Sequence, residues 1–219
     1  MFEDNQFPNG EAWDEYKWER FLQRQDQNTE RYFELLEKYM DDPNRDEIVA
    51  EEMGWSIFEE AEQTQEQLEH FLSEASEFLT DEEEQEYDSE FEEFTHSAVY
   101  EDTLRLHRWI NRLLDKREDL REHPEALRFA TRSAICGAKL AAGLCGHDTS
   151  EIGMTIAYLK RALKAANDAL DAMNHLVESS LIDRRRANHA RKLVFKIRDR
   201  IVDNMGTYRL KWRQRYGNA

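Results

Sequence analysis

The sequence predicts an all-α protein of about six helices, an antiparallel four-helix bundle over residues 86–216 with an acidic helical hairpin ahead of it. Three observations carry that expectation. Only 3 prolines and 8 glycines punctuate 219 residues, too few turn formers for a chain cut into many short strands. Apolar residues recur at alternating steps of four and three, the pattern of a helix with one buried face. The joins between these stretches are short, which makes sequential helices neighbours in space.

Taken in order, the first helix is expected over residues 11–40, with Trp13, Tyr16, Phe21, Leu22, Phe33, Leu36 and Tyr39 marking a face. Asp41-Asp42-Pro43-Asn44 ends it, because the residue before proline is pushed out of the α region and Asp and Asn favour turns. A second helix starts near Asp46 and carries the seam Ile57, Ala61, Thr64, Leu68, Phe71, Ala75 and Phe78, with Gly54 weakening its first turns. The acidic run from Thr80 to Asp88 reads as a solvated linker or the acid-rich first turn of the next helix, and the domain boundary falls there: an acidic hairpin over 1–85 and a basic bundle over 86–219.

The third helix is expected from Glu90 to His123 through Phe91, Phe94, Ala98, Leu106, Trp109, Ile110, Leu113 and Leu120, and Pro124 opens the fourth where proline is tolerated. That fourth helix, Glu125 to Gly146, has Ala130, Ala134, Ala138 and Ala142 at every fourth position. The stripe is read as a close crossing with Ala162, Ala165, Ala166 and Ala169 of the fifth helix. Gly146 through Ser150 supply a stop and a cap. The fifth helix then follows Ile152, Ile156, Leu159, Leu163, Ala166, Leu170, Met173 and Val177. The sixth, Asp183 to Tyr216, follows Ala190, Val194, Ile197, Ile201, Met205, Tyr208 and Trp212.

Charge divides the chain more sharply than hydropathy does. Residues 1–102 carry 34 acidic and 6 basic side chains, a net −28, and residues 103–219 carry 13 and 24, a net +11, which together give the chain's −17. Opposite halves imply an intramolecular match or a basic surface for an anionic partner. The candidate anion-binding or nucleic-acid-binding residues are Arg184, Arg185, Arg186, Arg191, Lys192, Lys196, Arg209, Lys211, Arg213 and Arg215 on the sixth helix. Tyr208, Trp212 and Tyr216 are interleaved where they could stack on bases. The competing reading places those aromatics in the core and the cations on a solvated face that meets the acidic hairpin.

Catalytic and metal-binding patterns are sparse. One Glu-x-x-His pair, Glu93 with His96, falls short of the two pairs and two further glutamates of a carboxylate-bridged di-metal bundle. Arg184 with His189, and Arg117 with His123, have the spacing by which a guanidinium could hold a phosphate while an imidazole moves a proton. A chain this rich in arginine shows such spacings from composition alone, so no family resemblance is drawn. Cys136 and Cys145 lie nine apart on one helix, on opposite faces, and are expected to be apolar fillers without a bridge.

No run of eighteen apolar residues occurs and the first ten residues are polar and acidic, so a cytoplasmic location without membrane contact is expected. These features together point to a non-enzymatic protein-interaction or scaffold module, needing no cofactor or metal, whose partner is another protein or its own acidic hairpin. The alternative is a nucleic-acid-binding or RNA-cleaving bundle that uses the basic C-terminal helix, with Arg184 and His189 as its catalytic pair.

Overall fold

The computed structural model describes residues 12–55, 97–145 and 151–217. Its described elements are α-helices: α1 (Glu15–Lys38), α2 (Arg45–Met53), α3 (Ala98–Lys116), α4 (Glu118–Arg121), α5 (Pro124–Leu144), α6 (Ile152–Glu178) and α7 (Arg184–Tyr216). No strand occurs among the described residues, and no helix there is long and apolar enough to cross a membrane. The chain forms two compact units, Met1–Trp18 with Asp88–Ala219, and Glu19–Tyr87, so α1 lends its first residues to one and the rest to the other.

In the first unit α3, α5, α6 and α7 pack as a ring, each touching two others: α5 with α6, α6 with α7, α7 with α3 and α3 with α5. Named pairs show each neighbour running antiparallel. Arg128 and Arg132 near the start of α5 reach Asp171 and Asp168 towards the end of α6, while Gly143 at the end of α5 lies against Tyr158. Arg191 donates to Asn174 across α6 and α7, whose other ends meet at Ile156 and Arg209. Lys196 reaches back to Asp102, and Arg117 donates to the Leu181 carbonyl just ahead of α7. Trp109 packs edge-on to Phe129 between α3 and α5.

The ring encloses Leu106, Ile110, Phe129, Leu140, Leu159, Met173, Leu176, Val194, Ile197 and Ile201. Burying each large side chain of this kind contributes about 1.5–3 kcal/mol. On α7 the expected seam is buried from Ala190 to Met205 and extends back to Ala187. On α6 burial is wider than the expected seam: Ala162, Ala165, Ala169, Ala172 and Leu176 are fully inside, and Leu163, Leu170 and Val177 flank them. A helix with two neighbours in a ring buries two adjoining stripes, and small alanines let both come close.

Four expectations are corrected. The alanine stripe of α5 is not a crossing: Ala134, Ala138 and Ala142 are exposed and Ala130 is half-buried. Close approach occurs instead at glycines, where a Cβ on Gly137 would stand 3.1 Å from Thr103 Cγ2 of α3, and one on Gly143 3.0 Å from Tyr158 Cβ of α6. The third helix is not continuous to His123. It breaks at Arg117 (φ −133°, ψ 85°), whose guanidinium is held by both carboxylate oxygens of Asp119 and by the Leu181 carbonyl.

Gly54 ends α2 in the left-handed region (φ 75°) rather than merely weakening a longer helix; the seam from Ile57 to Phe78, like Phe91, Phe94 and the Glu93–His96 pair, lies outside the described residues. On α1 the buried side chains are Trp18, Leu22 and Leu35, whereas Tyr16, Phe21 and Phe33 are exposed. Helix starts follow the sequence more closely. Pro124 opens α5 beneath His123, whose Nδ1 accepts from the Glu125 amide, and the Asp183 carboxylate accepts from the Arg185 amide at the head of α7.

Both cysteines are free, Cys136 buried and Cys145 half-buried. Burial pushes the Cys136 thiol up to about 12 and raises Cys145 by the same cause. Because only the thiolate alkylates, native protein at pH 8 should react with iodoacetamide at Cys145 about tenfold or more faster than at Cys136. Site-resolved mass spectrometry would show the two rates converge in denaturant; equal rates in native protein would contradict the packing of Cys136.

Candidate functional site

The ten cations singled out on α7 separate into groups once their partners are known. Three are engaged within the fold. Lys196 Nζ lies 3.0 Å from Asp102 Oδ1, Arg209 holds both carboxylate oxygens of Glu15 at 2.9–3.2 Å, and Arg191 donates to Asn174 Oδ1. Lys211 and Arg215 stand over the rings of Tyr208 and Tyr216. Arg184, Arg185, Arg186, Lys192 and Arg213 are exposed to solvent, and Asp199 and Asp203 interrupt the basic stripe between them.

Sequence reasoning missed the group that consumes Lys196. Asp102 is almost fully buried between α3 and α7, where Lys196 (3.0 Å), Arg200 Nε (3.1 Å) and Arg105 (3.5 Å) surround it. A carboxylate out of water is tolerated only with such compensation. The signal was present: Val99, Asp102, Thr103, Leu106, Ile110 and Leu113 share one face of α3, so one acid interrupts an apolar seam.

The second missed feature is what covers the far end of α6 and α7. Residues 13–18, an acidic and aromatic run, are seated there. The Trp13 carbonyl and Trp18 ring lie so close to Gly153 that a Cβ there would overlap the first and come within 2.9 Å of the second. Tyr16 takes the Lys160 ammonium 4.6 Å from its ring centroid, and Trp13 packs edge-on to Trp18 with centroids 5.1 Å apart. Asp14 caps the start of α1 by accepting from the Tyr16 and Lys17 amides. Asp14, Glu15 and Tyr16 form a cavity of about 440 Å³ with Ile156, Arg209, Trp212 and Arg213. The Trp212 indole N–H is buried there without a hydrogen-bond partner among the described residues.

At the other end of the same two helices lies a second cavity of about 390 Å³, lined by Asn174, Val177 and Glu178 of α6 and Arg184, Ala187, Asn188 and Arg191 of α7. Arg184 belongs to it and His189 does not. Five helical residues set their side chains about 140° apart, so the structure does not bring that pair together. Arg117 and His123 are likewise committed, one to Asp119 and Leu181, the other to capping α5. Among the described residues no group of three His, Cys, Asp or Glu is placed to hold a metal. What the geometry offers is a groove with apolar patches and cationic ends. No protein-family model, curated protein or solved structure matches this chain. The groove's own residues therefore carry the functional argument.

Proposed function

We propose that the protein is a non-enzymatic interaction module, a helical scaffold whose basic C-terminal helix is matched in part by acidic residues of its own N-terminal segment and presents the remainder to a partner. The observation that carries this reading is Glu15, bidentate on Arg209 with residues 13–18 seated beside it. A bidentate carboxylate–guanidinium pair fixes orientation as well as charge; Glu15 is 12% exposed, while the Arg209 side chain keeps 38% of its surface in solvent. Supporting it, Arg184, Arg185 and Arg186 occupy the first turn of α7, where the helix dipole disfavours cations by about 0.3–1 kcal/mol each. A triplet in that place serves something other than helix stability.

The same triplet favours a second reading, contact with nucleic-acid phosphates. Fluorescence anisotropy of labelled RNA and DNA against the full-length protein, at low and moderate salt, separates the two. The interaction reading expects no saturable binding tighter than about 1 µM at moderate salt. Sub-micromolar binding that weakens steeply with salt, and weakens further in an R184Q/R185Q/R186Q variant, would overturn it in favour of the phosphate-facing helix.

A further inference from the structure

Helical geometry places Arg184, Arg191, Phe195, Arg198, Val202 and Arg209 within a sector of about 60° on α7, the flank that faces α6. No acidic residue of α7 falls in that sector, since Asp199 and Asp203 point further outward. Phe195 and Val202 are 42% and 53% exposed, with the Arg198 guanidinium 5.2 Å over the Phe195 ring and its buried Nε without a hydrogen-bond partner among the described residues. The facing flank of α6 carries the half-buried Leu163 and Leu170 with the neutral amides of Asn167 and Asn174. The groove therefore repeats one chemistry along its length, apolar patches and uncharged amides with cations spaced between them. Glu178 is the single carboxylate lining the cavity at its open end.

At the closed end that chemistry already has an occupant. Residues 13–18 sit against it with a carboxylate on Arg209, a tyrosine ring against Lys160 and two tryptophans packed edge-on. We infer that the open stretch, from Val202 to Arg184, is a docking groove for an acidic, aromatic-bearing segment of a partner protein, bound as the chain binds its own residues 13–18. The carboxylate and the aromatic rings of the seated segment have counterparts in the open stretch. Arg184 and Arg198 offer guanidiniums where Arg209 takes Glu15, and Phe195 and Val202 offer exposed apolar surface for aromatic side chains. Charge complementarity and continuity with the occupied end select this partner over a basic or purely apolar one. The inference rests on the interaction reading above and names the partner's chemistry.

The test uses the full-length protein and a labelled synthetic 15-residue peptide carrying glutamates and aspartates with two tryptophans five apart, the spacing of Trp13 and Trp18. A second peptide has every acid replaced by its amide. The acidic peptide should bind saturably, with a Kd on the order of 10–100 µM at moderate salt, and the amide peptide about tenfold or more weaker. V202D places a carboxylate in the open groove at an exposed position and should weaken the acidic peptide about tenfold or more, as should R184Q with R198Q. Arg112→Gln removes the same charge from an exposed position on α3 and should change binding by less than about twofold. Circular dichroism confirms that each variant is folded. Equal binding to V202D and wild type, equal binding of the two peptides, or no saturable binding would overturn the groove and leave the interaction reading to its own test. Displacement of the peptide by an oligonucleotide at lower concentration than by unlabelled peptide would overturn both.

Discussion

Replacing Lys196 and Arg200 together by methionine is expected to lower the free energy of unfolding by about 3 kcal/mol or more, read from urea denaturation followed by circular dichroism. The substitution strips Asp102 of its two nearest cations and leaves only Arg105, which lies 3.5 Å away and is half in solvent. Asp102 itself is 1% exposed and cannot turn to water. Removing one side of a buried ion cluster costs the desolvation of the charge left behind, which outweighs any gain from the methionines' apolar contact. Adding Asp102→Leu to the double variant should recover most of the loss, because an apolar cluster of similar volume replaces the ionic one. A loss below about 1 kcal/mol in the double variant would mean that the carboxylate is compensated elsewhere.

Gly153→Ala is expected to unseat residues 13–18. A methyl at this position collides with the Trp13 carbonyl, the Asp14 backbone and the Trp18 ring, two of which are backbone and cannot rotate away. Overpacking of this kind costs about 1–3 kcal/mol. The cost can be avoided by local release of the segment, so the readout is local. Amide hydrogen exchange should rise severalfold in residues 13–18 while the bundle core keeps its protection. Gly206→Ala is the control, since nothing lies within 4 Å of the position its Cβ would take; removing a glycine from the interior of α7 should stabilise by about 0.5–1 kcal/mol. Unchanged exchange in Gly153→Ala would show that the segment does not depend on that contact.

The helical class and the seams of α6 and α7 were legible because both helices are long and their apolar periods unbroken. The break at Arg117 was not, since no proline or glycine marks it. It depends on a guanidinium finding Asp119 two residues on and a carbonyl 64 residues on, and only the first is local. The alanine stripe of α5 misled because small residues suit a tight interface and a solvated helix equally well. Helix propensity alone accounts for exposed alanines. Of the basic stripe, the sequence shows composition and spacing, while the carboxylates that engage Lys196 and Arg209, Asp102 and Glu15, come from the far half of the chain. Arg209 and Glu15 are 194 residues apart. Asp102 could have been read as a misfit in the seam of α3, and it identifies the acid without naming its three partners.

The seating of residues 13–18 also has a temporal side. During synthesis this segment leaves the ribosome long before α6 and α7 exist, and its site at Gly153, Lys160 and Arg209 is assembled only after some two hundred residues have followed. Until then two tryptophans, a tyrosine and an unpaired carboxylate wait without their cover. Nascent chains expose apolar surface in this way and are prone to association. Ribosome-bound intermediates that stop short of Arg209 are thus the species in which this segment is open to other chains, and completion of α7 closes that window.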